Sequence, residues 1–234
     1  MFTRDKGTII IKDKKYYYKR NDAYVEILME KIADLFKLHH AHYIPVTEGN
    51  RNYYISEDLN NIGPFITAYD AGIMTNNINK IKRYFTKYPN DFNTLSNDLT
   101  KMYFMDLLIE NIDRNNDNWG FVNKDGKVEL YILDNDLAFI DTRSIMTSLV
   151  TNASEDSILE IAHILKSFPP DKIFLFNQMF NELNMDTFER LIKETERDIN
   201  MELPHKQVYI SQYDFLRYRI NKENNSKILK RSIY

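Results

Sequence analysis

The sequence has 234 residues, of which 43% are hydrophobic and 28% charged, and its formal net charge is −3. This length allows one good core or two small lobes, and the nearly balanced charge argues against a general polyanion-binding surface. Cysteine is absent, which excludes disulfides, thiolate zinc sites, iron–sulfur clusters and cysteine catalysis. No apolar run approaches the ~18 residues of a membrane span and the first residues lack the order of a signal peptide, so we expect a soluble cytoplasmic protein.

The first sixty residues predict strands around one helix. A β-branched run at Thr8–Ile11 and an aromatic run at Tyr16–Lys19 are separated by a polar turn and indicate a hairpin. Apolar positions at helical spacing predict a helix from Ala23 to about Lys37, capped by Asn21 or Asp22.

Chain-breaking residues occur at two places after this helix. Pro45 is expected to end regular structure, and Tyr53–Ile55 is expected to form another strand. Asparagines, a glycine and a proline within residues 60–64 predict a lobe boundary. The predicted fold is therefore α+β and two-lobed, with a small β-rich lobe at residues 1–59 and a mostly helical lobe at residues 60–234.

The second lobe is predicted to contain helices and one embedded hairpin. Helices are expected at Ile78–Tyr88 and from Ser96 or Asn97 to about Glu110. Phe121-Val122 and Val128–Leu133 read as two strands joined by an Asp-Gly turn. Three or four amphipathic helices are expected from residue 155 onward. The clearest apolar stripe comprises Phe188, Leu191, Ile192, Thr195 and Ile199.

A kinase uses this order of elements to bind ATP between two lobes, and many unrelated α+β folds share the same order. Phosphoryl transfer needs a lysine fixed by a carboxylate, a second carboxylate for the attacking hydroxyl, and two oxygen-bearing side chains for magnesium. Lys19 ends a predicted strand and Glu26 lies in the first turns of the next helix. These two residues are the candidates for the lysine and the carboxylate that fixes it. A surface lysine and a glutamate that favours a helix N-terminus would give the same pattern.

Three further residues complete the set. Asp113 follows the long helix and Asn118 comes five positions later, which is the interval of a kinase catalytic loop. Asp134 follows a predicted strand, where a kinase places its main magnesium carboxylate. Asp113 and Asn118 would also be expected in an exposed Asn-rich turn, and Asp134 in an ordinary turn after a strand. The pairs are weak singly, but together they occur in the order that a kinase requires.

The segment Met105–Trp119 resembles the catalytic segment of two related groups. These are the bacterial HipA-like kinases, with the CtkA-like kinases among them, and the type II phosphatidylinositol 4-kinases. Both carry an Asn-x-Asp-Arg-x-x-x-Asn core. The segment Leu133–Phe139 resembles the metal-binding segment of the lipid kinases, and residues 18–19 and 26–38 resemble the CtkA-like small lobe. The residues that match the core are Asn111, Asp113, Arg114 and Asn118.

The resemblance implies a role for each matching residue in an ATP- and Mg²⁺-dependent kinase. Lys19 is expected to contact the ATP phosphates and to pair with Glu26. Asp113 is expected to be the catalytic carboxylate, and Asn118 and Asp134 are expected to ligate magnesium.

Supporting roles are implied by the same resemblance. Asp106 is expected to orient the catalytic loop, and Arg114 and Asp136 are expected to support the site. The hinge that meets adenine through backbone groups is expected at Ser56, Glu57, Asp58 and Leu59.

The predicted function is that of a HipA-like serine/threonine protein kinase, a class that includes autophosphorylating, toxin and effector types; an effector would act in a host cytosol. A phosphoinositide kinase is one alternative, although the lipid kinases resembled here carry a cysteine-rich palmitoylated segment and this chain has no cysteine. A nucleotide-binding pseudokinase is another. It is motivated by Asp136, where the lipid kinases have glycine, and by Gly7, the single glycine before the first strand. The partners expected are ATP and a protein substrate, without nucleic acid; the oligomeric state stays open.

Two further clusters have simpler interpretations. His39, His40 and His42 are expected to be structural, because adjacent histidines rarely face one ion and no acidic partner is expected nearby. The basic stretch from Arg217 to Arg231 is expected to be a solvated terminal helix, with an acidic lipid surface or nucleic acid as the alternative partner.

Overall fold

Two four-stranded sheets and six α-helices make up the part of the chain that the computed structural model describes, which is residues 7–19, 24–48, 51–75, 77–111, 114–135, 138 and 169–231. The strands are β1 (Thr8–Ile11), β2 (Lys14–Lys19), β3 (His39–His40), β4 (Tyr43–Glu48), β5 (Arg51–Glu57), β6 (Phe65–Thr67), β7 (Trp119–Lys124) and β8 (Lys127–Ile132). The helices are α1 (Tyr24–Leu35), α2 (Ile78–Phe85), α3 (Phe92–Leu108), α4 (Pro170–Glu182), α5 (Met185–Ile199) and α6 (Lys206–Arg231). A 3₁₀ turn spans Leu59–Asn61.

The first sheet has the order β1-β2-β5-β4 and is antiparallel throughout. The predicted hairpin of β1 and β2 is confirmed, and Lys19 at its end lies opposite Tyr54 of β5. The expectation that Pro45 ends regular structure was wrong, because this residue lies within β4, also opposite Tyr54. β4 is the edge strand of this sheet, and an edge strand accommodates a residue that lacks an N–H donor.

The second sheet has the order β3-β8-β7-β6. The β7–β8 hairpin forms where the sequence predicts it, with Asp125 and Gly126 in its turn at positive φ. β6 was not predicted, and it pairs with β7 across Gly120. A Cβ atom at Gly120 would lie 2.3 Å from the Ile66 carbonyl oxygen, so this pairing requires glycine.

β3 joins the two parts of the chain. It comes after α1 in sequence, yet it pairs in parallel with β8, with His39 opposite Tyr131 and His40 opposite Ile132. The hydrophobic core is also continuous: Leu28 and Met29 of α1 belong to the same buried cluster as Leu99 of α3. α1 packs against α5 as well. The division into residues 1–59 and 60–234 stays a prediction, and the core does not stop at residue 59.

The helices match the predicted apolar patterns, with shifted ends. α3 begins at Phe92, before the predicted caps at Ser96 or Asn97, because the burial of Leu95 holds its first turn against the core. Asp91 precedes the helix and uses its carboxylate to accept the Val128 N–H at 3.0 Å instead of capping the helix. The stripe predicted in α5 is confirmed, since all five of its residues are buried. Among the described helices, none has the length and hydropathy that crossing a bilayer requires.

Candidate active site

Lys19 lies between two carboxylates that come from distant parts of the sequence. Its Nζ is 2.9 Å from Asp134 Oδ1 and 3.8 Å from Glu26 Oε1. Lys19 is the last residue of β2, Glu26 lies in the first turn of α1, and Asp134 comes shortly after β8. The fold therefore brings together three residues that the sequence singled out, and Lys19 lies closer to Asp134 than to Glu26.

Glu26 is fully buried, and its environment disfavours the charged form. Burial raises the pKa of Glu26 to about 8, although the charge of Lys19 and the N–H of Asn135 oppose the shift. Its Oε2 accepts the Asn135 N–H at 2.9 Å. Its Oε1 is buried and has no hydrogen-bond partner among the described residues, and it is the atom that faces Lys19. An ammonium group that moved closer to Glu26 would satisfy this oxygen.

The backbone of Asp134 is held in a conformation that few non-glycine residues adopt. Its φ is +55°, in the left-handed region that aspartate tolerates better than most residues. Its N–H donates to the hydroxyl of Tyr43 at 3.1 Å. Tyr43 belongs to β4 and is buried, which raises the pKa of its hydroxyl well above 10 and keeps it protonated. Strained backbone of this kind is common at functional sites, where neighbouring residues hold it in place.

Arg114 connects three segments around the site. Its guanidinium is buried and binds both carboxylate oxygens of Asp106, with Nε 3.0 Å from Oδ2 and Nη2 2.9 Å from Oδ1. Its Nη1 donates to the carbonyls of Asn118 at 2.7 Å and Leu133 at 2.9 Å. Burial alone would lower the pKa of Arg114, but the charge and hydrogen bonds of Asp106 raise it. One guanidinium thus fixes the end of α3, the loop before β7 and the loop after β8.

Asn118 and Asp134 lie at the same end of the β7–β8 hairpin. The Leu133 N–H donates to the Asn118 carbonyl at 3.0 Å, next to the pair formed by Trp119 and Ile132. Asn118 is buried, whereas the Asp134 side chain is 37% exposed. The other two predicted residues of this region, Asp113 and Asp136, lie outside the described residues.

No protein-family model and no curated protein sequence matches the chain. Solved structures do match: the proinflammatory kinase CtkA of Helicobacter pylori has 15% identity and a TM-score of 0.69, over 99% of this chain and 97% of that one. A chain of the HipA, HipB and operator DNA complex of Shewanella oneidensis MR-1 has 13% identity and a TM-score of 0.50, over 89% of this chain but only 57% of that one.

The chain has the kinase-like fold of CtkA and HipA. The predicted α+β class, with its β-rich first part and helical second part, is confirmed. The likeness of two segments to the type II lipid kinases remains a prediction from the motifs.

The predicted hinge lies where β5 leaves the first sheet of this kinase-like fold. Ser56 and Glu57 are the last residues of β5, and Asp58 accepts the Asn60 N–H at 2.9 Å to cap the 3₁₀ turn that begins at Leu59. Two backbone N–H groups of this predicted hinge already donate hydrogen bonds within the protein. The Glu57 N–H donates to the His42 carbonyl at 2.8 Å, and the Asp58 N–H donates to the Lys15 carbonyl at 3.0 Å. The next donor along the segment is the N–H of Leu59.

The three clustered histidines face three different acids. His40 Nε2 lies 3.0 Å from Asp34 Oδ1, and His39 Nε2 lies 3.8 Å from Glu129 Oε2. His42 contacts Glu30, which raises the pKa of the histidine. The expectation that these histidines have no acidic neighbour was wrong, because the fold places acidic residues of α1 and β8 next to them. Separate partners agree with the structural role that the sequence predicts.

Sequence reasoning missed two residues that contact the site. The Tyr43 hydroxyl accepts a hydrogen bond from the Asp134 N–H, and Asn135 contacts both Glu26 and Arg114. Tyr43 carries no local signal, because its role depends on a contact with Asp134, about ninety residues later in the chain. Asn135 has a weak signal, since it stands between two aspartates in the segment that resembles the metal-binding segment of the lipid kinases.

Proposed function

We propose that this chain is an ATP- and Mg²⁺-dependent, HipA-like protein kinase that phosphorylates serine or threonine. The observation that carries the proposal is the position of Lys19 between Glu26 and Asp134, beside a loop that Arg114 anchors. A lysine held by two carboxylates suits the binding of a polyphosphate, because one carboxylate can turn to a metal ion while the other keeps the lysine in place.

The residues present fit a magnesium ion. Mg²⁺ in nucleotide sites takes one or two oxygen ligands from the protein and completes its shell with phosphate oxygens and water. Asn118 and Asp134 offer an amide oxygen and a carboxylate at one end of the hairpin. Among the described residues no three His, Asp or Glu side chains converge on one point. When bound, Mg²⁺ neutralises charge on the β- and γ-phosphates.

Each residue then has one task. Lys19 leaves Asp134 for the ATP phosphates and stays close to Glu26, whose buried Oε1 faces it. Asp113 accepts the proton of the substrate hydroxyl as the oxygen attacks the γ-phosphorus and the bond to ADP breaks. In the sequence Asp113 directly precedes Arg114, whose guanidinium binds Asp106 and the Asn118 carbonyl.

The test is a phosphate-transfer assay with labelled ATP and Mg²⁺, followed by mass spectrometry of the protein itself and of added protein substrates. We expect phosphoserine or phosphothreonine from the unmodified chain. Asp113→Ala and Asp134→Ala should each lower the rate by about 10²-fold or more, because general-base and metal-binding groups contribute at least this much.

Asp125→Asn is the matched control, because this exposed aspartate lies in the turn at the opposite end of the hairpin. It should keep the full rate. Full activity in Asp113→Ala or Asp134→Ala would overturn the assignment. Label transferred to phosphatidylinositol vesicles instead would assign a lipid kinase, and Mg²⁺-dependent ATP binding without any transfer would assign a pseudokinase.

A further inference from the structure

Asn135 is a buried polar residue to which the proposed reaction assigns no task. It is 2% exposed and immediately follows Asp134. Its backbone N–H donates to Glu26 Oε2 at 2.9 Å, and its side-chain Oδ1 accepts a hydrogen bond from Nη2 of Arg114. This one residue therefore contacts α1 from the first part of the chain and the catalytic loop from the second part.

Asn135 is one of the hydrogen-bond acceptors that surround the Arg114 guanidinium. A guanidinium has five N–H donors in a fixed plane. The other acceptors are the Asp106 carboxylate and the carbonyls of Asn118 and Leu133. Because Arg114 is immobilised by these contacts, Asn135 Oδ1 meets a donor whose position is already fixed. The orientation of the Asn135 side chain, and of the backbone that carries it, is set accordingly.

This orientation matters for Asp134 because the two residues share a peptide bond. Asp134 is at φ +55°, a backbone conformation that is less favourable for a non-glycine residue than the ordinary helical or extended regions. Two hydrogen bonds oppose its relaxation: the Asp134 N–H to Tyr43 and the Asn135 N–H to Glu26. The side chain of Asn135 adds a third link, because its bond to Arg114 ties the same backbone to the loop that carries Asn118.

We propose that Asn135 is a positioning residue that sets the distance between Asn118 and Asp134 and so determines the affinity of the site for its divalent ion. The identity of this ion as Mg²⁺ rests on the proposed function. Asn135 acts through Arg114 and Asp134. Groups that orient metal ligands in this way change metal affinity about 10- to 100-fold when removed.

The experiment compares three variants of the full chain. Asn135→Leu keeps the shape and removes the acceptor, whereas Asn135→Asp keeps an oxygen at the same place. Thr195→Val is the control, since it removes one buried hydrogen bond, 2.9 Å from Thr195 Oγ1 to the Leu191 carbonyl in α5. Binding of Mn²⁺ in the presence of a non-hydrolysable ATP analogue is measured by electron paramagnetic resonance. The Mg²⁺ concentration for half-maximal rate and the melting temperature are measured in parallel.

We expect Asn135→Leu to weaken Mn²⁺ binding and to raise the half-saturating Mg²⁺ concentration, each about tenfold, with excess Mg²⁺ restoring the rate. Asn135→Asp should bind Mn²⁺ at least as tightly as the unmodified chain. Thr195→Val should lower the melting temperature without changing the metal affinity.

A variant Asn135→Leu with lowered melting temperature and unchanged Mn²⁺ affinity would overturn the proposal, because Asn135 would then be a structural residue only. If Asn135→Leu does not fold, Asn135→Ala removes the same acceptor with less steric demand and is judged by the same criterion. The two proposals fail separately: an unmodified chain that transfers no phosphate but shows the Asn135-dependent Mn²⁺ affinity would refute the kinase activity and retain the role of Asn135.

Discussion

At the scale of single residues, the feature that most affects the chemistry is the division of Lys19 between two carboxylates. Lys19 Nζ forms an ion pair with Asp134 at 2.9 Å, and 3.8 Å away lies Glu26 Oε1, a buried oxygen without a hydrogen-bond partner in the part of the chain that the structure describes. A buried carboxyl group in this state binds a proton more tightly than it does in the unfolded chain. The protonation of Glu26 is therefore linked to folding.

This linkage predicts the pH dependence of stability. The pKa of Glu26 is about 8 in the folded protein and 4.5 when unshifted, so unfolding releases a proton and stability falls as the pH rises from about 4.5 to about 8. The slope attributable to Glu26 is at most about 1.4 kcal/mol per pH unit. Glu26→Gln, which cannot ionise, should remove that slope.

Urea unfolding of both proteins between pH 5 and pH 8 measures this slope. The difference in the free energy of unfolding between Glu26→Gln and the unmodified chain should grow as the pH rises, in favour of the variant. A difference that stays constant with pH would show that burial does not shift Glu26 as described.

At the scale of elements, the loops around the site are held by side chains more than by the strands themselves. Arg114 joins α3, the loop before β7 and the loop after β8. α1 is fixed at both ends, because Glu26 binds Asn135 near its start and Lys101 Nζ donates to the Phe36 carbonyl, 3.0 Å away, just after its end. These contacts hold α1, and with it Glu26, in position beside the loop after β8.

We predict that Arg114→Lys destabilises the protein by about 3 kcal/mol, because an ammonium group cannot reproduce the planar contacts and leaves buried acceptors unpaired. Arg190→Lys is the matched control. Arg190 forms an exposed pair with Glu194 at 2.7 Å, and its replacement should change stability by less than about 0.5 kcal/mol. Urea unfolding measures both variants, and equal effects would contradict the central position given to Arg114.

At the scale of the whole molecule, the core and the second sheet run across the predicted lobe boundary. Residues of α1 and α3 share one buried cluster, α1 packs on α5, and Lys31 forms an ion pair with Asp198 between those helices. A domain whose core is continuous unfolds cooperatively. The two parts are then expected to lose structure together.

The prediction is one unfolding transition. Trp119 is the single tryptophan and is buried in β7, so its fluorescence reports on the second sheet, while far-UV circular dichroism reports on the whole chain. The two midpoints should coincide. The double variant Trp119→Phe/Tyr18→Trp moves the reporter to an exposed position in β2 and should give the same midpoint. Separate midpoints would instead show that residues 1–59 unfold independently.

The sequence predicted the features that depend on local patterns. The β1–β2 and β7–β8 hairpins, α1 and the buried stripe of α5 result from alternation, helical spacing and turn residues close in the chain. The resemblance implied that Lys19 would pair with Glu26, whereas the shorter contact of Lys19 with Asp134 was not predicted. Pairing between distant segments was not predictable in this way. β3 and β8 are about ninety residues apart, and the place of Pro45 became acceptable only once β4 was known to be an edge strand.

The parallel pairing of β3 with β8 has a consequence for how the protein is made. Residues 39 and 40 find their partners only when residues 131 and 132 are present, and Glu26 finds its donor only when residue 135 is present. Contacts of such long sequence separation form late in folding. A nascent chain on the ribosome therefore carries Lys19 and Glu26 for many seconds before their site exists, since synthesis adds about 5–20 residues per second. The site is assembled only after residue 135 has been translated.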